Sequence, residues 1–119
     1  MIDISEGITL FNNLEFFEAH DFFEKLWISA DRKDKLFLQG LIQISVGCFH
    51  TISKNKSGAI SQFGKGTKKL LNYQPLYNGV NVEKLLFGIE QIKFCLKSIS
   101  EEFTWEISFP KIEFNISNK

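Results

Sequence analysis

The stretch from Leu14 to Trp27, Leu-Glu-Phe-Phe-Glu-Ala-His-Asp-Phe-Phe-Glu-Lys-Leu-Trp, constrains the fold more than any other part of this chain. Stepped at about 100° per residue from His20, Phe16, Phe17, Phe23 and Trp27 fall within about 60° of it, and Leu26 lies a little further round. Glu24 follows one turn along on the same stripe. Glu18, Asp21, Lys25 and Ser29 take the opposite, wet side. The pattern predicts one amphipathic helix with a histidine and a glutamate set into its apolar face. A glutamate is almost never buried without a partner, and an unpaired buried carboxylate takes up a proton. Something elsewhere in the chain has to satisfy Glu24.

The partners are expected on the next helix, over roughly Leu36 to Ser53. It is apolar nearly all round, as a central helix is. Its polar exceptions, Gln39, Gln43 and His50, lie within about 40° of one another on the wheel. Gly40 and Gly47 sit beside that stripe. Glycine weakens a helix, so two on one face imply close approach of a neighbouring helix, or room for a ligand. Asp31 to Lys35 reads as a compact charged turn, and so short a connection makes the two helices antiparallel. Folded about Arg32, Glu24 lies level with the space between Gln39 and Gln43. His20 comes level with Gln43 and Gly47, and His50 lies near Phe16 and Phe17. The expectation is a buried polar cluster of His20, Glu24, Gln39, Gln43 and His50, with Trp27 as a core residue closing its bottom.

The chain has 119 residues, which suits a single helical domain over 1–119. Thirteen phenylalanines should supply much of the core. Net charge is zero, so nothing global recruits nucleic acid or a membrane surface. The charge is segregated nonetheless. Residues 1–34 hold eight acids against three bases, while Lys35 to Val82 contains six lysines and no acid. An acidic helix beside a basic one is the plain meaning. Cys48 and Cys95 lie far apart in apolar contexts with no signal-peptide pattern before them. They read as free, mostly buried thiols of a reducing, cytoplasmic compartment. No apolar run approaches the length of a membrane span.

Three more helices complete the expected fold. A short first helix covers residues 3–12, with Ile4, Ile8 and Phe11 at helical spacing and Gly7 against it. Asn12 or Asn13 would cap the second helix. After a polar loop from Lys54 to Ser57, a fourth helix runs from Gly58 to Tyr73, with Lys65, Lys68 and Lys69 on its outer face. Three lysines without an interleaved aromatic platform describe a solvated face rather than a nucleic-acid site. Gln74 to Gly79 is a loop. Asn81 caps a fifth helix that ends near Ile99, with Leu85, Ile89, Ile92, Leu96 and Ile99 inward. Phe87 and Phe94 fall on its opposite face among Glu83, Glu90 and Glu101 and ask for a cover. One candidate is the extended tail, where Phe103, Trp105, Ile107 and Phe109 alternate with polar residues before Pro110. The other is a homodimer contact. The fold class is all-α: about five helices in a compact bundle with an extended C-terminal tail.

His20 and Glu24, one turn apart, have the spacing of a chelating pair or an acid–base pair, with His50 as a third ligand of a divalent metal. Zinc sites take about four ligands, or three with water, and glutamine is a poor one. The Glu-x-x-His spacing of di-iron bundles is absent. Glu18 and His20 diverge by about 160° on a helix. Cys48 faces away from the glutamine stripe and makes no nucleophile pair. Gly64-Lys65-Gly66 lacks the strand that a phosphate loop needs.

Phe11-Asn12, Phe16-Phe17-Glu18-Ala19-His20, Glu24, Trp27, Gln39-Gly40-Leu41-Ile42-Gln43 and His50 together resemble the family named domain of unknown function 309. Asn55, Gly58-Ala59, Gly66, Pro75, Gly79-Val80-Asn81-Val82 and Phe109-Pro110-Lys111-Ile112 resemble its second half and tail. The resemblance implies a small all-helical fold. It carries no catalytic role, because the family's function is not established. The family occurs in bacteria, archaea and plastid-bearing lineages, which adds the plastid stroma as a setting for a plastid-encoded copy. Leu14 stands where the family usually has glycine, Asp21 where it has glutamate, and Asn81 where aspartate is common.

Two readings of function stand. In the first, His20 and Glu24 are the reactive pair of a small-molecule or metal-binding pocket, enzymatic or not, and Gln39, Gln43, His50 and Trp27 orient the ligand. In the second, the cluster is an internal hydrogen-bond network that fixes helix register, and the protein is a non-enzymatic interaction or structural partner that pairs through Phe87 and Phe94.

Overall fold

The computed structural model describes residues 2–98 and 107–115. Five α-helices follow in order: α1 (Ser5–Asn12), α2 (Phe16–Ser29), α3 (Arg32–Ile52), α4 (Lys56–Leu70) and α5 (Val82–Ser98). A 3-10 turn at Leu71–Tyr73 and a hairpin of two short strands, β1 (Leu76–Tyr77) and β2 (Val80–Asn81), join α4 to α5. No helix among the described residues is long and apolar enough to cross a membrane. The expected residues Ile99, Glu101, Phe103 and Trp105 lie outside the described ones.

Helix α3 is the axis of the fold. Its buried side chains face α2 on one side and α4 on the other; α1 packs on α2, and α5 on α4. Phe11, Phe16, Phe23, Phe37 and Phe63 are fully buried and supply the largest pieces of the core. The glycines of α3 mark close approach, but to α4 rather than α2. A methyl at Gly40 would stand 2.8 Å from the Leu70 side chain, and one at Gly66 3.0 Å from the Gly40 carbonyl. At Gly47 it would stand 2.5 Å from the Phe63 ring. The room beside the glutamine stripe is therefore filled by α4. Gly7, which counted against α1 in the sequence, is a point of contact with the Phe22 and Phe23 rings.

The helix ends differ from expectation for local reasons. Asp31 to Lys35 is not a separate turn: Asp31 is extended and α3 starts at Arg32. Helix α4 starts two residues earlier than expected, because the Asn55 side chain accepts from the Gly58 N–H at 3.0 Å. Neither Asn12 nor Asn13 caps α2; Glu15 holds that position without a side-chain cap. Instead α1 ends in a Schellman turn. The Leu14 N–H donates to Phe11 and the Glu15 N–H to Leu10, with Leu14 left-handed at φ +66°. Glycine adopts that conformation at no steric cost, in keeping with the glycine that the resemblance leads one to expect there. Asn81 does cap α5, accepting from the Lys84 N–H at 3.0 Å. Before it, Asn78 and Gly79 are both left-handed, at φ +53° and +85°, as a two-residue type I′ hairpin requires.

Asn12 has another task. Its amide donates to the Ile112 carbonyl at 3.0 Å and accepts from the Ile112 N–H at 2.7 Å, pairing with the tail as a strand would. The Lys111 ammonium donates to the Asn12 carbonyl at 3.0 Å. Around this clamp Ile112 is buried and Phe109 packs on Phe16 at 5.0 Å between ring centres. Phe114 bridges to Val80, and Glu113 accepts from Asn81 and Lys84.

Candidate functional site

The buried residues of α2 are Phe16, Ala19 and Phe23. On the wheel their centre lies about 65° to one side of His20. His20, Glu24 and Phe17 therefore occupy the edge of the apolar stripe, where α2 meets solvent. The His20 side chain is 22% exposed and that of Glu24 is 53% exposed. The expectation of a buried Glu24 satisfied by glutamines is thus corrected. Taking His20 as the stripe's centre caused the error; Ala19, fully buried, was the signal that would have moved it.

What forms at this edge is a compact donor group. Glu24 Oε1 faces His20 Nε2 at 3.9 Å, and Asp21 Oδ1 lies 3.2 Å from His20 Nδ1. One ligand atom from each of the three residues falls within 4.8 Å of the others. The Asp21 contact is close but out of line with the direction of a ring N–H. It is electrostatic rather than a hydrogen bond, and Nδ1 is shielded from water without a hydrogen-bond partner. Asp21, assigned by the wheel to the wet face, is exposed, yet its carboxylate reaches the adjacent ring. It takes the third place in the group that the sequence gave to His50.

His50 lies elsewhere on the same surface. It is partly buried in the last turn of α3, and its Nδ1 stands 3.4 Å from the Asn55 amide nitrogen. Rings connect the two histidines: Phe17 is 5.7 Å from His20 and 5.7 Å from Phe49, which is 6.3 Å from His50. The Phe17–Phe49 contact fixes α2 and α3 as antiparallel, in the expected register. At 1.5 Å per residue that register sets Gln43 at a height between His20 and Glu24. Gln43 is partly buried, and its Oε1 is shielded from water with no hydrogen-bond partner. Gln39 is partly buried as well. Trp27 does not close the bottom of a cluster. It is partly buried at the end of α2, with the Lys35 ammonium 4.4 Å from its ring centre and donating to the Trp27 carbonyl at 2.7 Å.

The second polar feature, at the start of α3, went unread in the sequence. Asp34 is buried and accepts a 2.6 Å hydrogen bond from the Tyr77 hydroxyl. That hydrogen bond to the carboxylate, helped by partial burial, pushes the Tyr77 phenol up to about 12. Phe37, Tyr73 and Tyr77 stack edge-on around it, with ring centres 4.7–5.4 Å apart. The pair ties the hairpin to α3, and no motif announces it because its members are 43 residues apart.

The outer face of α5 carries Phe87 and Phe94, 66% and 73% exposed, so the described part of the tail leaves them uncovered. Cavities of about 480 and 530 Å³ flank Phe87, one toward Lys68 and Glu83, the other toward Cys95 and Ile107. Cys48 is buried as expected, but Cys95 is exposed. Lys65 and Lys68 are exposed and Lys69 is partly buried.

These features define a small all-helical protein in which His20, Asp21 and Glu24 form the densest group of metal-ligating donors among the described residues. Residues 4–62 match the model of the family described as Domain of unknown function (DUF309). The match spans α1, α2, α3 and the first part of α4, and so takes in His20, Asp21, Glu24, Gln39, Gln43 and His50. The motif likenesses at Gly66, Pro75, Gly79 to Val82 and Phe109 to Ile112 lie beyond it. No curated protein matches the chain.

Proposed function

We propose that the solvent edge of α2 is a divalent-cation site, with His20 Nε2 and Glu24 as ligands one turn apart and Asp21 on the other ring nitrogen. The observation that carries this reading is the approach of three donor groups to within 4.8 Å. The 3.9 Å between Nε2 and Oε1 is about half an ångström more than two donors span around a shared tetrahedral ion, so side-chain adjustment alone closes it. Asp21 Oδ1, 3.2 Å from Nδ1, needs only a small side-chain turn to accept from that ring N–H and so hold the ring of a metal-bound histidine. Two protein ligands, one fewer than a catalytic zinc site commonly has, leave positions for water or a small molecule.

Metal analysis of protein purified without a histidine tag, with melts before and after chelator, tests it. Added zinc at ten times its dissociation constant is expected to stabilise the fold by about 1.4 kcal/mol, a rise of several degrees in Tm. Glu24→Gln, at an exposed position, should leave the metal-free melt unchanged and weaken zinc about tenfold or more. Absence of metal, together with melts indifferent to zinc and chelator, would sink the reading.

Phe87 and Phe94 support a second reading, a homodimer through the outer face of α5, because two exposed rings beside two grooves form a surface of ridge and hollow. Sedimentation velocity should then report a dimer that Phe87→Ser with Phe94→Ser converts to monomer. A monomer at every concentration removes this reading.

A further inference from the structure

We infer that the His20 site takes a ligand with a flat aromatic body and an oxygen-donor, metal-chelating head, the body lying on Phe17 and Phe49. The inference rests on the cation site proposed above and names what its open positions receive.

The phenylalanines of α2 and α3 differ in depth, with Phe22 partly buried. Phe16, Phe23 and Phe37 are fully buried, whereas Phe17 and Phe49 remain 51% and 40% exposed. Isolated exposed rings are ordinary on a protein surface. These two come from different helices and meet at 5.7 Å. A contiguous apolar patch calls for a function. Its position is specific: Phe17 is 5.7 Å from the His20 ring at an interplanar angle of 37°. The shelf therefore starts one helical turn from the donor group, on the side of His20 away from Glu24.

One further polar group borders the shelf. At the far edge the Asn55 amide stands on Nδ1 of His50 at 3.4 Å, so that nitrogen accepts and Nε2 carries the proton as a donor. A chelating head that enters an open position of the ion sets an attached aromatic body beside Phe17, 5.7 Å from the His20 ring, and Phe49 next to it. An aliphatic ligand of the same head group leaves the rings uncovered.

The test compares benzohydroxamate with acetohydroxamate on the zinc-loaded full chain, each referred to its affinity for zinc ion in buffer. Offset stacking is worth about 0.5–1.5 kcal/mol per ring pair, so benzohydroxamate should bind about tenfold tighter. Phe17→Ala and Phe49→Ala should each reduce that ratio several-fold while zinc itself binds as in the parent. Phe17→Leu and Phe49→Leu, which keep apolar bulk, should reduce it likewise. Intact zinc binding with equal hydroxamate affinities, or a preference that survives the substitutions, overturns the aromatic shelf and leaves the cation site standing. Absence of zinc binding, measured first on the same samples, overturns both.

Discussion

Gly47→Ala is expected to destabilise the protein by about 2 kcal/mol, although alanine is the better helix former. In an exposed helix the exchange would gain about 1 kcal/mol from propensity. Here the new methyl would stand 2.5 and 2.6 Å from two atoms of the Phe63 ring. Phe63 is fully buried and has no exposed side to turn toward. Forcing an extra methyl into a packed core costs about 1–3 kcal/mol, and a rigid ring belongs at the upper end of that range. Chemical denaturation measures the net effect. The sign decides: a variant as stable as the parent, or more so, would mean that α3 and α4 are further apart than described. Phe63→Leu in the Gly47→Ala background should recover part of the loss, with a coupling of about 1 kcal/mol or more, because the two residues share one contact.

Asn12→Ala should cost about 2–3 kcal/mol, through a different mechanism. The amide of Asn12 supplies both hydrogen bonds of the Ile112 peptide groups, at 2.7 and 3.0 Å. Alanine would leave an N–H and a C=O of a buried residue without partners, and each such group costs about 1–3 kcal/mol, less where water reaches it. Asn12→Asp keeps the acceptor and loses the donor, so its melt should fall between the other two. Equal melts for all three proteins would show that the tail contributes nothing through this contact.

The contrast between these two positions explains what the sequence revealed. Gly40 and Gly47 could be read as points of close helix approach because a helical period reports which residues share a face. It does not report which neighbour that face meets, and the neighbour proved to be α4. Asn12 could not be read, because its partner lies 100 residues away and no local pattern marks an amide that will pair with a distant backbone. The five helices and the α2–α3 register followed from periodicity. The hairpin escaped because its strands have two residues each, although Asn78-Gly79 carried the turn signal. At the site, the wheel brought His20 and Glu24 together correctly but misjudged their depth. A difference of about 65° separates the centre of an apolar stripe from its edge, and with it a buried network from a donor group open to water. Asp21 was missed for the same reason. Sequence neighbours point apart on a helix, yet a short carboxylate at the solvent edge can still reach an adjacent ring.

The difference between the two cysteines has a practical side. Burial pushes the Cys48 thiol well above its usual range, which withholds the thiolate that alkylating reagents attack. Cys95 stands exposed on α5, on the rim of the 530 Å³ groove beside Phe94. A maleimide dye at neutral pH should thus mark one position without any engineering. A fluorophore there would watch the α5 face, so whatever meets that surface can be followed in a chain of native sequence.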